Sequence, residues 1–137
     1  MNVQSLLDPN VAGIQNLTSP ESKSSAAPEA SAASLRGRKL GLLLTSRPDQ
    51  PAFQHAVKLA AAAVAAGVKV YAYCIDDAVL GVEDPALQSL RSQGLNLYGC
   101  AYAAQRRRLP MSDAAVFAGL SVVSDMISAT DRFVAFG

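Results

Sequence analysis

A strand, a helix and a second strand are predicted from one continuous run, residues 39–75, which reads KLGLLLTSRPDQPAFQHAVKLAAAAVAAGVKVYAYCI. Residues 39–45 are largely apolar, which is typical of a strand buried on both faces. Pro51 then stands where the first turn of a helix tolerates proline, an apolar face runs on from Phe53 at helical spacing, and Gly67 is a natural helix end. The β-branched and aromatic residues 68–75 form the second predicted strand.

The rest of the chain repeats this alternation of strand and helix. Such alternation predicts a parallel sheet with helices on both faces, a doubly wound, flavodoxin-like α/β fold with five strands. In the simplest order of such a sheet, 2-1-3, strands two and three flank strand one and lie about 9.6 Å apart. The further predicted elements are a helix over Pro85–Gln93, a strand over Leu95–Gly99, a helix over Ala101–Arg108, a strand over Leu120–Val123, a helix over Ser124–Thr130 with a serine cap, and a strand over Arg132–Phe136.

The first 35 residues differ from the predicted α/β domain, residues 36–137. From Thr18 to Ser34 the chain is mostly Ser, Ala, Pro and Glu, a composition typical of a flexible linker because it buries too little apolar surface to offset the ordering entropy. Ahead of the linker, five apolar residues between Val3 and Ile14 fall at helical spacing. This segment is either a docking peptide for a partner or a leader with chance hydrophobic residues, and the second interpretation is favoured.

Charge and hydropathy exclude several classes of partner. Twelve basic residues stand against eleven acidic ones, a net charge of +1, so neither a nucleic acid nor a membrane is expected as a partner. Lys58 and Lys69 interrupt the longest alanine-rich stretch, which leaves no run of about 20 apolar residues. The start of the chain lacks the pattern of a secretory signal, so the expected location is the cytoplasm.

Neither a cofactor nor a metal is expected from the motifs. The turn after the first strand, Thr45–Asp49, has no Gly-x-Gly-x-x-Gly pattern, and the chain has no P-loop. Two cysteines, Cys74 and Cys100, are too few for a disulfide scaffold or a structural zinc site. The single histidine, His55, is predicted to lie at the surface because its helical position is far from that of Val57.

Cys100 is the strongest candidate for a functional residue. It follows Gly99 at the end of a predicted strand and begins a helix, where unsatisfied backbone N–H groups favour a thiolate by up to about 2 kcal/mol. The alternative is a small buried hydrophobic residue, and position alone leaves the two interpretations evenly balanced. Arg106, Arg107 and Arg108 either receive an acidic partner or form a solvated helix end.

Three segments resemble the DsrE/DsrF and TusD-like sulfur-relay family. Residues 100–107, CAYAAQRR, look like the family's cysteine segment, which runs from cysteine through small residues to arginine. Gly119–Val123 through Asp131–Phe136 is similar to the family's last helix and strand, and Asp77–Val79 to the segment after its second strand. The resemblance covers roughly residues 38–137, with Arg108 where relatives often have glycine.

The resemblance implies a sulfur-relay protein that carries or transfers sulfane sulfur as a persulfide on Cys100. Arg106, Arg107, Asp77 and Cys74 are the candidate supporting residues. It also implies sulfur donor and acceptor proteins as partners, and a homo-oligomer or a hetero-oligomer with related subunits. Such transfer needs an accessible thiolate nucleophile.

Several alternatives stay open beside the carrier. Cys74 is expected to be mainly a core residue, and Asp76 and Asp77 to cap the next helix rather than take part in chemistry. A second hypothesis is a non-catalytic oligomeric binding module in which residues 1–35 dock a partner. A third, a redox sensor, needs Cys74 to reach Cys100, although a disulfide requires Cα atoms within about 7 Å.

Overall fold

A computed structural model describes residues 34–137, which form a five-stranded parallel sheet in the order β4-β3-β2-β1-β5. The predicted tail, residues 1–35, lies outside the described residues except for its last two positions. The elements are β1 (Lys39–Leu44), α1 (Pro51–Ala65), β2 (Lys69–Cys74), a 3-10 helix (Asp76–Gly81), α2 (Pro85–Ser92), β3 (Asn96–Cys100), α3 (Ala101–Arg106), β4 (Val116–Ala118), α4 (Ser121–Ala129) and β5 (Arg132–Phe136).

Helices cover both faces of the sheet, so the predicted α/β fold is confirmed. Helices α1 and α2 pack on one face, against alternate strand residues that include Leu42, Val70 and Cys74. Helices α3 and α4 pack on the other face, against residues that include Leu43 and Tyr73. Neighbouring residues of a strand, such as Leu42 and Leu43, pack on different faces because successive side chains of a strand point to opposite sides of the sheet. We refer below to the α1/α2 face and the α3/α4 face.

The strand order differs from the predicted 2-1-3 arrangement. Strands β2 and β3 are direct neighbours, with Cys74 in register with Gly99, whereas β1 lies between β2 and β5. The prediction was wrong because alternating periodicity identifies strands and helices without specifying the direction in which each crossover steps. The chain steps in one direction from β1 to β4 and reverses only to place β5 beside β1.

The fourth strand and the last helix also differ from their predicted bounds. Strand β4 is Val116–Ala118, while the predicted strand Leu120–Val123 contributes most of its residues to the start of α4. These residues are helical because Val122, Val123 and Met126, at helical spacing, pack together on the α3/α4 face. No side chain caps the helix, so the predicted serine cap at Ser124 was wrong.

The other helix boundaries follow local signals in the sequence. Proline begins α1 and α2, and Asp84 caps α2 by accepting hydrogen bonds from the N–H groups of Ala86 and Leu87. Gly67 and Gly94 follow the ends of these helices with φ of +84° and +114°, a backbone conformation that favours glycine. Within residues 34–137, no helix is long and apolar enough to span a membrane.

Candidate functional site

Cys100 ends β3 and caps the start of α3. Its Sγ accepts a hydrogen bond from the N–H of Ala103 at 3.4 Å, in the place that a serine or aspartate side chain takes at other helix starts. The thiol is largely buried, with 3% of the residue exposed. Gly99 allows the Phe117 ring of the edge strand β4 to pack close to β3, because a Cβ at position 99 would lie 2.7 Å from that ring. The sequence therefore positions the sulfur by a short strand, a glycine and a tight turn into helix.

A cleft of about 520 Å³ lies beyond the carboxyl ends of β2, β3 and β4, and Cys100 lines it. Open parallel sheets commonly place ligand sites at this edge. Tyr102, Arg106 and Arg107 from the α3 segment line the cleft together with Leu120, which directly precedes α4. The structure therefore brings the predicted thiol together with two of the three consecutive arginines, Arg106 and Arg107.

The three arginines at the end of α3 have different surroundings. Arg106 is exposed, donates from Nη1 to the Tyr102 hydroxyl at 3.0 Å, and places its guanidinium 5.8 Å from the centre of that ring. Arg107 donates from Nε and Nη2 to one carboxylate oxygen of Asp77, at 3.0 and 2.9 Å. Arg108 has a φ of +53°, which glycine tolerates better, and does not line the cleft. Two of the three are thus available to the cleft.

Asp77 joins the site through Arg107 and not as a helix cap. No side chain caps the 3-10 helix that Asp76 and Asp77 begin, and Asp84 caps the following α2, so the capping prediction was wrong. Arg107 also donates from Nη1 to the Ala103 carbonyl at 3.3 Å. Since the Arg107 and Asp77 side chains are 30% and 47% exposed, their ion pair contributes no more than about 1 kcal/mol. Its main effect is to fix the guanidinium beside the cleft.

Cys74 lies on the opposite side of the sheet from Cys100. It is fully buried among residues of the α1/α2 face, and burial raises the pKa of its thiol to about 12. Because Cys74 is in register with Gly99, the side chain of Cys100 points to the other face. Cys74 therefore belongs to the core, as predicted, and a disulfide with Cys100 would have to cross the sheet.

Tyr73 is a residue of the site that the sequence interpretation did not single out. Its hydroxyl donates to the Ala118 carbonyl at 2.9 Å, and its side chain belongs to the same buried cluster as Cys100. Burial, followed by the neighbouring Cys100 thiol and its charge, raises the pKa of Tyr73 well above its ordinary range. Period-two alternation puts Tyr73 on the α3/α4 face, but a tyrosine in a strand is usual and gave no signal of its own.

Two further sequence expectations concern histidine and metal binding. His55 is exposed on α1, as predicted. No group of three or more His, Cys, Asp or Glu side chains in the described part of the chain is arranged to hold a metal ion.

Comparison with solved structures gives a similar fold. The E. coli protein YchN, known from its crystal structure, superposes with a TM-score of 0.63 at 16% sequence identity, over 72% of this chain and 99% of YchN. YchN has a DsrE-like fold, in agreement with the resemblance seen in the sequence. No protein-family model matches the chain, and no curated protein matches it. At this level of identity the likeness extends to the fold alone.

Proposed function

We propose that this protein carries sulfane sulfur as a persulfide on Cys100 and passes it between partner proteins. The observation that carries the proposal is the position of this thiol, at the start of α3 and beside the cleft at the carboxyl edge of the sheet. The resemblance of residues 100–107 to the cysteine segment of sulfur-relay proteins, and the DsrE-like fold of YchN, support the same chemistry.

Sulfur loading is a thiol–disulfide type of exchange at a single sulfur. The Cys100 thiolate attacks the outer sulfur of a donor persulfide, a new S–S bond forms, and the donor's S–S bond breaks. The electron pair of the broken bond leaves with the donor's own sulfur as a thiolate. Unloading is the same reaction with Cys100 as the donor. An acceptor thiolate attacks the outer sulfur of the Cys100 persulfide, a new S–S bond forms on the acceptor, and Cys100 leaves as a thiolate. No external oxidant or reductant is needed in either step.

The surroundings of Cys100 suit a negatively charged sulfur. The Ala103 N–H already donates to Sγ, and hydrogen bonds to an ionised acceptor are stronger than those to a neutral one. Arg106 and Arg107 add positive charge at the cleft wall, which Asp76 in the same wall and Asp77 beside Arg107 partly offset. We assign Arg107 and Asp77 a supporting role, in which the ion pair orients the guanidinium, and Arg106 a role in receiving an acidic group of a partner.

The proposed partners are a sulfur donor protein, a sulfur acceptor protein and further subunits, identical or related. A partner has to reach a thiol that is 3% exposed, so it must contact the rim of the cleft. Tyr102 and Leu120 lie on that rim with 65% and 59% of their surface exposed. Exposed apolar side chains at a rim are typical of contact surfaces. The cytoplasm is the proposed location because a reducing compartment keeps Cys100 a thiol.

Intact-protein mass spectrometry after incubation with inorganic polysulfide tests the carrier function. We expect the native chain and Cys74→Ala to gain one sulfur atom, which dithiothreitol then removes, and Cys100→Ser to gain none. Alanine is a better replacement than serine at position 74, because a serine hydroxyl would be buried there without a hydrogen-bond partner. Uptake of sulfur by Cys100→Ser, or none by the native chain, would contradict the proposal.

A second candidate function is a non-catalytic oligomeric binding module in which Cys100 only packs. The burial of Cys100 and the exposed apolar residues Tyr102 and Leu120 favour it. In that case Cys100→Ser leaves assembly and partner binding unchanged, while Leu120→Asp lowers the oligomer mass measured by light scattering. Residues 1–35, the other docking element of this hypothesis, are tested by their deletion in the same assay.

A further inference from the structure

The Tyr73 hydroxyl is a buried polar group beside Cys100. Tyr73 is 0% exposed, its hydroxyl donates to the Ala118 carbonyl at 2.9 Å, and its side chain belongs to the same buried cluster as Cys100 on the α3/α4 face. Ala118 ends β4, is in register with Cys100, and is followed by Gly119 and Leu120, which line the cleft. The hydroxyl thus bonds to the strand partner of Cys100, and burial together with the neighbouring thiol raises the pKa of Tyr73.

The hydroxyl has a single proton for these two neighbours. A neutral Cys100 thiol is a weak acceptor, so the hydroxyl donates its hydrogen bond to the Ala118 carbonyl, as the structure shows. A thiolate or persulfide anion is a charged acceptor, and hydrogen bonds to charged groups contribute more to stability than those between neutral groups. A turn of the hydroxyl away from the carbonyl and towards the sulfur exchanges one acceptor for the other.

We propose that Tyr73 is a positioning residue of the Cys100 site, whose hydroxyl donates to Ala118 when Cys100 is a thiol and to the sulfur when Cys100 is an anion. The part of this inference that concerns the persulfide rests on the proposed carrier function, whereas the part that concerns the thiolate does not. No covalent bond to Tyr73 forms or breaks in either state.

Through this exchange of hydrogen-bond partner, the charge on the sulfur affects how firmly the rim of the cleft is held. Strand β4 has three residues and pairs only with β3, so it has few other hydrogen bonds to hold its end. When the hydroxyl turns to the sulfur, the Ala118 carbonyl loses a partner and the Gly119–Leu120 segment is held less firmly. The rim of a charged Cys100 is therefore looser than that of the neutral thiol, which affects the access of a protein partner rather than that of a small reagent such as iodoacetamide.

Tyr73→Phe removes the hydroxyl and keeps the ring, and Tyr71→Phe is its matched control. Tyr71 lies two positions earlier on β2, on the same face, and lines a separate cavity of about 220 Å³ beside α4. Both substitutions are made in the full chain with Cys74→Ala, so that Cys100 is the only thiol. Thermal unfolding followed by circular dichroism confirms that each variant is folded before its thiol is examined.

Two measurements on these variants decide the inference. We expect Tyr73→Phe to slow alkylation of Cys100 by iodoacetamide about tenfold at neutral pH, because the thiolate loses a donor. The S–H stretching band of the neutral thiol should stay in place in infrared spectra, because the hydroxyl donates to Ala118 in that state. Tyr71→Phe should change neither. An unchanged or faster alkylation rate in Tyr73→Phe, or a shifted S–H band, would overturn the inference.

Sulfur uptake by the same variants separates this inference from the carrier function. If the native chain takes up no sulfur from polysulfide but Tyr73→Phe still slows alkylation, the carrier function fails and the role of Tyr73 stands. If the native chain takes up sulfur and the alkylation rate does not respond to Tyr73→Phe, the carrier function stands and the role of Tyr73 fails.

Discussion

The two faces of the sheet differ in how completely their helices cover them. On the α1/α2 face, helices of fifteen and eight residues leave Leu42, Val70 and Cys74 with at most 1% of their surface exposed. On the α3/α4 face, helices of six and nine residues leave Leu43 and Phe133 only partly buried. The first face thus resembles a closed core, whereas the second is incompletely covered and borders the cleft at its carboxyl end.

Each face contains one cysteine, and the pair illustrates what the difference means. Cys74 and Cys100 end neighbouring strands of the same sheet. Cys74 packs as a fully buried hydrophobic side chain, while Cys100 lies at a helix start, beside Tyr73, and lines the cleft. The more completely covered face thus holds the core cysteine, and the less completely covered face holds the cysteine that borders the cleft.

Alkylation kinetics should give the largest difference between the two faces. In the native protein we expect iodoacetamide to modify Cys100 at least about 1000-fold faster than Cys74, because Cys74 reacts only from the unfolded state. Peptide mass spectrometry after timed quenching measures both rates in one sample. Urea should abolish the difference, and equal rates in the absence of urea would show that the α1/α2 face is not closed.

Truncation of two adjacent leucines compares how strongly each face is packed. Leu42 points to the α1/α2 face and Leu43 to the α3/α4 face of the same strand. We expect Leu42→Ala to lower the free energy of unfolding by about 3 to 4 kcal/mol, and Leu43→Ala by about 1 to 2 kcal/mol, because only the first leaves a fully enclosed cavity. Urea denaturation followed by circular dichroism measures both, and equal losses would contradict the comparison.

The closed face is also the part of the fold that its sequence predicts best. Largely apolar runs such as residues 39–45 are typical of buried strands, and proline and glycine mark the two ends of α1. On the α3/α4 side, β4 is only three residues long, and Val122 and Val123 read as a strand although they form a helix. Short elements carry too little periodicity to outweigh the contacts that determine their structure.

The candidate site was predictable to the extent that it depends on local sequence. Cys100 and the arginines that follow it share one strand–helix junction, so their proximity follows from position. The pairing of Arg107 with Asp77, thirty residues apart, needs the observed contact between their two elements. The contacts of Tyr73 with Cys100 and Ala118 depend on the order β4-β3-β2, which the periodicity does not contain.

Backbone strain at the helix ends gives a smaller difference between the faces. Helix α2 is followed by Gly94 at φ +114° with open space around it, whereas α3 is followed by Arg108 at φ +53°. We expect Gly94→Ala to destabilise the protein by about 1 kcal/mol and Arg108→Gly to stabilise it by about 0.5 kcal/mol, because only glycine adopts positive φ without strain. Thermal unfolding measures both, with Arg108→Ala as a neutral control; destabilisation by Arg108→Gly would contradict the prediction.

Acid titration of Asp131 should give the smallest effect, at an edge of the sheet that belongs to neither face. Its carboxylate accepts from the Lys39 N–H at 2.8 Å and pairs with Arg38, and these contacts lower the pKa of Asp131. A lowered native pKa means that the stabilisation is present above the ordinary carboxyl pKa, about 3.9, and is lost as pH falls through the native value. We therefore expect Asp131→Asn to reduce the free energy of unfolding at neutral pH, and the gap to the native chain to narrow in acid. Urea denaturation at neutral and at acid pH measures this. The alkylation rate of Cys100 should stay unchanged, because Asp131 directly precedes β5, at the opposite end of the strands from the cleft.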